Sequence, residues 1–159
     1  MKYIGLLLLL LAGFFAYRSY RDELIHTEKI LGEFISLLRE HRHRAGFLLA
    51  PMSRWVNEFE SELLRRLGVL TSLEKMPPKE AYSSFKSSLK LPTSALSVLE
   101  DFFEYSGAGD IGVELSRCDS AIVALERILN EERGCRDKRL KLAGAVGFAV
   151  LGGIVIIML

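Results

Sequence analysis

The chain has 159 residues and a formal net charge of +1, and half of its residues are hydrophobic. This length accommodates one domain, and the balanced charge gives no reason to expect nucleic acid or an acidic substrate as a partner. The apolar residues are concentrated at the ends, because residues 3–17 and 142–159 contain no charged residue. All acidic residues, and all basic residues except Lys2, lie in residues 18–141.

The N-terminal apolar segment, residues 3–17, would be about 22 Å long as a helix, which is short for a membrane span. Two interpretations compete, a cleaved signal peptide and a retained anchor. Cleavage after Ala12 or Ala16 would leave a large residue at the −3 position, where signal peptides carry a small one. Lys2 and Arg18 can extend to the two membrane interfaces and make a short span workable. The sequence therefore favours a retained transmembrane helix.

The polar middle of the chain has the apolar spacing of amphipathic helices, and it contains no convincing alternating strand pattern. The predicted fold class is all-α, with a bundle of about five to six helices in residues 18–141. We expect helices over residues 24–38, 51–67, 77–89 and 93–103 and a long one from residue 111 onward, with loops at 44–50, 68–78 and 90–94.

Two residues mark the start of the long helix: Gly107 suits the C′ position of the helix before it, and Asp110 is placed to cap the new one. Apolar residues then recur at spacings of four and three, as at the a and d positions of a coiled coil. Gly134 is the only interruption before the C-terminal apolar segment, so this helix is expected to continue into it. The seam consists of Ile111, Leu115, Cys118, Ile122, Leu125 and Leu129.

The C-terminal segment, residues 142–159, has 18 uncharged residues and a helical length of about 27 Å, close to the thickness of the hydrocarbon layer. It is predicted to be a second transmembrane helix. Five basic residues precede it in residues 133–141, and Arg18 and Arg21 follow the first span. Because positive charge near a membrane stays on the cytoplasmic side, residues 18–141 are expected in the cytoplasm, with both termini outside.

Small residues recur every four positions in the second span, at Ala145, Ala149 and Gly153. Such a stripe lets two helices approach closely, so the spans can pair with each other or with neighbouring subunits. Glycine and alanine are also common in membrane helices generally, and this alternative stays open.

A basic cluster at Arg39, Arg42 and Arg44 is the candidate partner-binding site, for an acidic protein surface or for lipid head groups. The alternative is a solvated helix end. His41 and His43 point about 200° apart on a helix and cannot share a metal ion. Cys118 and Cys135 suggest no disulfide in a reducing cytoplasm. Since no catalytic grouping or phosphate-binding loop occurs either, no enzyme activity and no cofactor are expected.

The architecture resembles the stage III sporulation protein AB family of endospore-forming bacteria. The resemblance rests on the opening "YIGLLLLL", the helix start "LAPMSRWV" and the late turn "FFEYSGAGD". It is closest in the last part of the chain, "CDSAIVALERILNEERGCRDKRLKLAGAVGFAVLGGIVIIML", where a charged helix leads into a terminal span with glycines.

The resemblance implies a non-enzymatic membrane component of a secretion-like complex that links mother cell and forespore. Members are similar to the cytoplasmic helical domain of platform proteins in type II secretion and type IV pilus systems. The implied partners are a cytoplasmic secretion-type ATPase and other membrane proteins of the complex, in the mother-cell (outer forespore) membrane; nucleic acid and small-molecule substrates are not implied. The alternative function is a membrane scaffold, a homo-oligomer joined through its long helix and its spans without an ATPase.

Overall fold

The computed structural model describes residues 2–48, 51–107 and 109–158, and the side chains it describes leave out residues 2–12 and 146–158 and some neighbouring positions. In this part of the chain all regular structure is helical, which confirms the all-α prediction. The α-helices are α1 (Lys2–Leu48), α2 (Met52–Trp55), α3 (Glu62–Arg66), α4 (Val69–Lys75), α5 (Pro78–Phe85), α6 (Thr93–Tyr105) and α7 (Ile111–Met158), with short 3₁₀ helices at Val56–Glu58 and Lys86–Ser88.

The residues form two compact units, and both long helices contribute to each of them. The helical unit comprises Thr27–Asn130. The terminal unit combines the chain before Thr27 with the chain from Glu131 onward. As predicted, α7 runs through Gly134 without a break. The predicted loop at 44–50 is wrong for residues 44–48, because α1 continues as a helix to Leu48.

The sequence prediction of one helix over residues 51–67 is wrong, because α2 ends after one turn and α3 begins only at Glu62. Between them the backbone of Phe59 is extended, and Ser61 caps α3 by accepting a hydrogen bond from the Leu64 backbone N–H at 3.1 Å. A serine at this position competes for backbone hydrogen bonds and so favours a new helix start over continuation.

The predicted loop at 68–78 is also wrong over most of its length, because α4 occupies Val69–Lys75. Gly68 has a left-handed backbone, with φ of 76°, which turns the chain sharply between α3 and α4. The predicted start of the next helix at the proline pair is confirmed, with Pro78 in its first turn. Prolines tolerate that position because the N–H they lack would have no intrahelical partner.

The core of the helical unit centres on aromatic side chains from α1, α5 and α6. The Phe85 ring lies 6.3 Å from that of Phe34, 5.6 Å from that of Tyr82 and 5.9 Å from that of Phe103, between ring centroids. All four side chains are at most 3% exposed. Burying each such side chain contributes about 1.5–3 kcal/mol, so this cluster holds the three helices together.

Within the helical unit, α1 and α7 run antiparallel and are joined by ion pairs. Arg39 pairs with Glu126 and Arg42 with Asp119, so residue numbers rise along one helix as they fall along the other. The predicted seam of α7 is buried from Cys118 to Leu129, but its first residue, Ile111, is 41% exposed. The seam is therefore used for packing inside the helical unit.

By hydropathy, the described part of the chain contains no helix with a stretch long and apolar enough for a membrane span. The predicted spans at residues 3–17 and 142–159 consist mostly of side chains that lie outside the described ones. The two spans therefore stay predictions.

Candidate partner-binding groove

A groove of about 680 Å³ opens on the surface of the helical unit, where α1, α2, α4, α5 and the start of α7 meet. This volume is typical of sites that bind drug-sized ligands, and it can hold several side chains of a partner protein. Its walls are mainly apolar, and Met76 and Ile111 are each 41% exposed there. The apolar lining includes Ala45, Met52, Leu73, Met76, Pro77 and Ile111.

A buried histidine–glutamate pair forms part of the groove wall. The imidazole Nε2 of His41 lies 3.0 Å from the Glu114 carboxylate, and the two residues are 3% and 8% exposed. The same carboxylate accepts hydrogen bonds from the Ser106 hydroxyl at 2.7 Å and from the Gly107 backbone N–H at 3.1 Å. Glu114 thus ties α1, α7 and the turn after α6 together.

These hydrogen bonds determine the ionisation of Glu114. Burial raises the pKa of its carboxyl group, but the bonds from His41, Ser106 and Gly107 stabilise the charged form more strongly and bring the pKa down to about 2. The carboxylate is therefore charged at neutral pH, and the facing His41 Nε2 carries a proton that it donates to it.

Aromatic rings enclose His41 on the other sides. Its ring stacks on Trp55 at a centroid distance of 5.9 Å and meets the edge of Phe102 at 6.2 Å. The Nδ1 atom of His41 is buried and makes no hydrogen bond within the described part of the chain. An imidazole held in this way is fixed in orientation, so His41 contributes to the packing of the core.

The local sequence after α6 explains how Glu114 reaches this position. Gly107 has φ of 80°, as the predicted C′ position requires, and this turn directs its N–H to the carboxylate. Asp110 caps α7, as predicted, by accepting a hydrogen bond from the Val113 backbone N–H at 3.0 Å. The capped helix starts one turn before Glu114 and brings this side chain level with His41 on α1.

The three arginines of the predicted basic cluster all lie in ion pairs inside the helical unit. Arg39 and Arg42 bind carboxylates of α7, and Arg44 binds Glu40 and Glu58 at 2.6 Å each while its guanidinium covers the Trp55 ring. The carboxylate of Asp119 raises the pKa of Arg42. Partner binding by this cluster stays a prediction, but its charge is balanced by its own chain.

The other candidate residues are spread over the two units. His41 is buried and His43 exposed, and Cys118 is buried while Cys135 is exposed, both as free thiols. Ala145 is exposed, whereas the side-chain positions of Ala149 and Gly153 lie outside the described ones, so the packing stripe stays a prediction. Within the described residues, no group of three or more His, Cys, Asp or Glu side chains is arranged to hold a metal ion.

Chemically, the His41–Glu114 pair is suited to holding helices in place. Nucleophilic catalysis by serine needs a hydroxyl that donates to an imidazole, whereas Ser106 donates to the carboxylate. Neither Glu114 nor Ser106 was among the site residues predicted from the sequence. A signal was present, since Glu114 follows Ile111 by three residues and precedes Cys118 by four, which puts a charged residue on the apolar face of α7.

Comparison of this chain with protein-family models, with curated proteins and with solved structures finds no match.

Proposed function

We propose that this protein is a non-enzymatic membrane component of a secretion-like complex, in which the helical unit docks a cytoplasmic partner through the groove. The transmembrane helices predicted at residues 3–17 and 142–159 would hold the unit at the cytoplasmic face of the membrane. The resemblance to the stage III sporulation protein AB family implies a secretion-type ATPase as the partner, and a sporulating cell as the setting.

The apolar groove is the feature of the helical unit that supports partner docking most strongly. A partner segment with an apolar face can bury itself in such a groove, as amphipathic helices do in other complexes. The exposed carboxylates of Glu74 and Asp110 lie at its border beside a single lysine, Lys75. We therefore expect the docking segment of the ATPase to combine apolar side chains with at least one cation.

The internal ion pairs of the arginine cluster favour the groove over that cluster as the main contact with the partner. Arg39, Arg42 and Arg44 would have to exchange internal carboxylates for those of a partner, which gains little free energy at an exposed site. Docking of apolar side chains against Met76 and Ile111 removes exposed apolar surface from water and is favourable on its own.

Burial of the seam favours this function over the scaffold alternative. Cys118, Ile122 and Leu125 lie in the core of the helical unit, so they are not available to a second copy while the unit is folded. Self-association would have to use the spans or another face.

The test is binding of the purified ATPase to the full chain reconstituted in lipid nanodiscs. Ile111→Lys places a charge in the groove at a position that is already exposed, and it is expected to weaken binding at least tenfold. Val123→Lys is the matched control, because it introduces the same side chain on the same helix at a position that is 65% exposed and outside the groove lining.

Three other outcomes would contradict parts of the proposal. Equal binding by the two variants would exclude the groove as the docking site. Loss of binding only after charge reversal at Arg39, Arg42 and Arg44 would assign docking to the basic cluster instead. Self-association in nanodiscs without any ATPase binding would support the scaffold.

A further inference from the structure

A second groove, of about 530 Å³, lies between α6 and α7 on the surface of the helical unit. We refer to it as the α6–α7 groove. Among the described residues, none that lines it also lines the groove proposed for the ATPase. A molecule bound in the α6–α7 groove would therefore leave the ATPase-docking groove free.

The two walls of the α6–α7 groove differ in the size of their side chains. On α6, Phe102 is buried and Val98 is half-buried, whereas the Tyr105 side chain is 51% exposed. A partner can cover this ring, and tyrosine is enriched among the residues that contribute most to protein interfaces. The α7 wall consists mainly of small residues, which allow a partner to approach closely: Ser116, Ser120, Ala121 and Ala124.

The α6 wall carries one carboxylate, that of Asp101. The two other acidic residues of α6 are in ion pairs with their own chain. Glu100 binds Lys86 at 2.7 Å. Glu104 binds Lys79 at 2.8 Å. Asp101 is exposed and forms no ion pair within the described part of the chain, so its carboxylate can accept a cation from a partner.

The α7 wall carries the opposite charge, on Arg117. One of its N–H groups donates to the Tyr105 carbonyl, and the centre of its guanidinium lies over the Tyr105 ring, 5.5 Å from the centroid. Among the described residues, no carboxylate pairs with this arginine. A guanidinium has five N–H donors, so Arg117 can bind a partner's carboxylate and still keep its contacts with Tyr105.

We infer that the α6–α7 groove is the contact surface between two copies of this chain, related by a two-fold axis. Such an axis places the same surface of both copies face to face, so that Asp101 of each copy meets Arg117 of the other. A second copy supplies both complementary charges by symmetry, and this is why it fits the groove better than an unrelated partner does. The contact closes with two copies, and both ATPase-docking grooves of the dimer stay free.

The size of the α6–α7 groove sets the strength of this contact. The lining stretches, residues 98–105 of α6 and 116–124 of α7, are each about 10–12 Å long. An interface built on them is at the small end of specific protein contacts, which are weak and transient. We therefore expect a reversible dimer that forms at high local concentration.

The test measures energy transfer between full chains in mild detergent, labelled with a donor or an acceptor dye at the exposed thiol of Cys135. For the wild type we expect transfer that rises with protein concentration and decreases when unlabelled chain is added. Asp101→Arg and Arg117→Asp each place like charges on both walls. Each variant should therefore self-associate at least about tenfold more weakly.

The matched controls are Glu60→Arg and Arg65→Asp, which make the same charge reversals at exposed positions of the helical unit outside the α6–α7 groove. Both should self-associate like the wild type.

Mixing the two groove variants provides the sharper test. A chain with Asp101→Arg carries two cations in the groove, and a chain with Arg117→Asp carries two anions. Each variant alone should stay monomeric, whereas the mixture should recover transfer between the two kinds of chain. The double variant with both substitutions should recover self-association as well. Recovery in the mixture would also show that both variants are folded.

Three results would overturn the inference. A wild type without concentration-dependent transfer forms no dimer. Transfer that survives unchanged in Asp101→Arg and in Arg117→Asp would assign self-association to another surface, such as the predicted spans. Monomers in both the mixture and the double variant would show that the two charges do not meet across the axis. None of these results bears on ATPase binding, because neither residue lines the groove proposed for it.

Discussion

The Glu114 carboxylate should make the helical unit sensitive to acid. Its pKa is about 2 in the folded protein, against an ordinary value of 4.5. At pH values between these two pKa values the unfolded chain binds more protons than the folded one, so lowering the pH favours unfolding. The contribution to the free energy of unfolding is about 3 kcal/mol above pH 6, and about 2 kcal/mol of it should be lost on going to pH 3.

The assay is urea denaturation of the full chain in mild detergent, followed by tryptophan fluorescence. Trp55 is the single tryptophan of the sequence, and it is buried in contact with the His41 ring, so it reports on this site. Glu114→Gln keeps the shape of the side chain and removes the charge. The difference in stability between wild type and this variant should shrink by about 2 kcal/mol between pH 7 and pH 3.

Glu126→Gln is the matched control, because it makes the same substitution on the same helix in an exposed ion pair. It should change the stability by less than about 1 kcal/mol at either pH. If the stability of Glu114→Gln stays parallel to that of the wild type from pH 7 to pH 3, the charged Glu114 does not stabilise the helical unit as described.

Three further predictions concern packing, the turn after α6 and the two thiols. Phe103→Ala should lower the free energy of unfolding by about 3–5 kcal/mol, because it opens a cavity in the core. Val123→Ala, on the exposed face of α7, should change it by less than about 0.5 kcal/mol in the same denaturation assay. Gly107→Ala should lower the free energy of unfolding by about 1–2 kcal/mol. The whole effect comes from the left-handed backbone, since an added Cβ would meet no atom within 4 Å. An unchanged denaturation midpoint would contradict this. Cys135 is exposed and should react with a maleimide in the native protein. Cys118 should react only after denaturation, because burial raises the pKa of its thiol to about 12. Mass spectrometry of the labelled chain would measure both reactions.

The sequence predicted the helical fold well, because apolar spacing reports directly on which face of a helix is buried. The start of α5 at the proline pair, the cap at Asp110 and the left-handed Gly107 were predictable from single residues with strong local preferences. The break between α2 and α3 was not predictable in the same way. Its local signal, the helix-capping Ser61, lies inside the apolar pattern of residues 52–67, and that uninterrupted pattern favours a single helix.

The candidate site was less predictable than the fold. The sequence shows a positive cluster at residues 39–44 because the α7 carboxylates that pair with Arg39 and Arg42 lie more than 70 residues away in the chain. The groove likewise brings together residues from five helices, and part of its wall depends on one long-range pair, His41 with Glu114. Such a pair is visible in a sequence only as two polar residues on apolar helix faces, with nothing to indicate that they meet.

The orientation of the helical unit decides whether the proposed docking can occur, because a cytoplasmic ATPase can reach the groove only if the unit is in the cytoplasm. Single cysteines at Ser87, which is exposed, and after the last residue would be introduced into a chain with Cys118→Ala and Cys135→Ser. Intact cells would then be treated with a membrane-impermeant thiol reagent. For a cytoplasmic unit we expect Ser87→Cys to stay unlabelled until the membrane is permeabilised, while the C-terminal cysteine reacts at once. Labelling of Ser87→Cys in intact cells would contradict it.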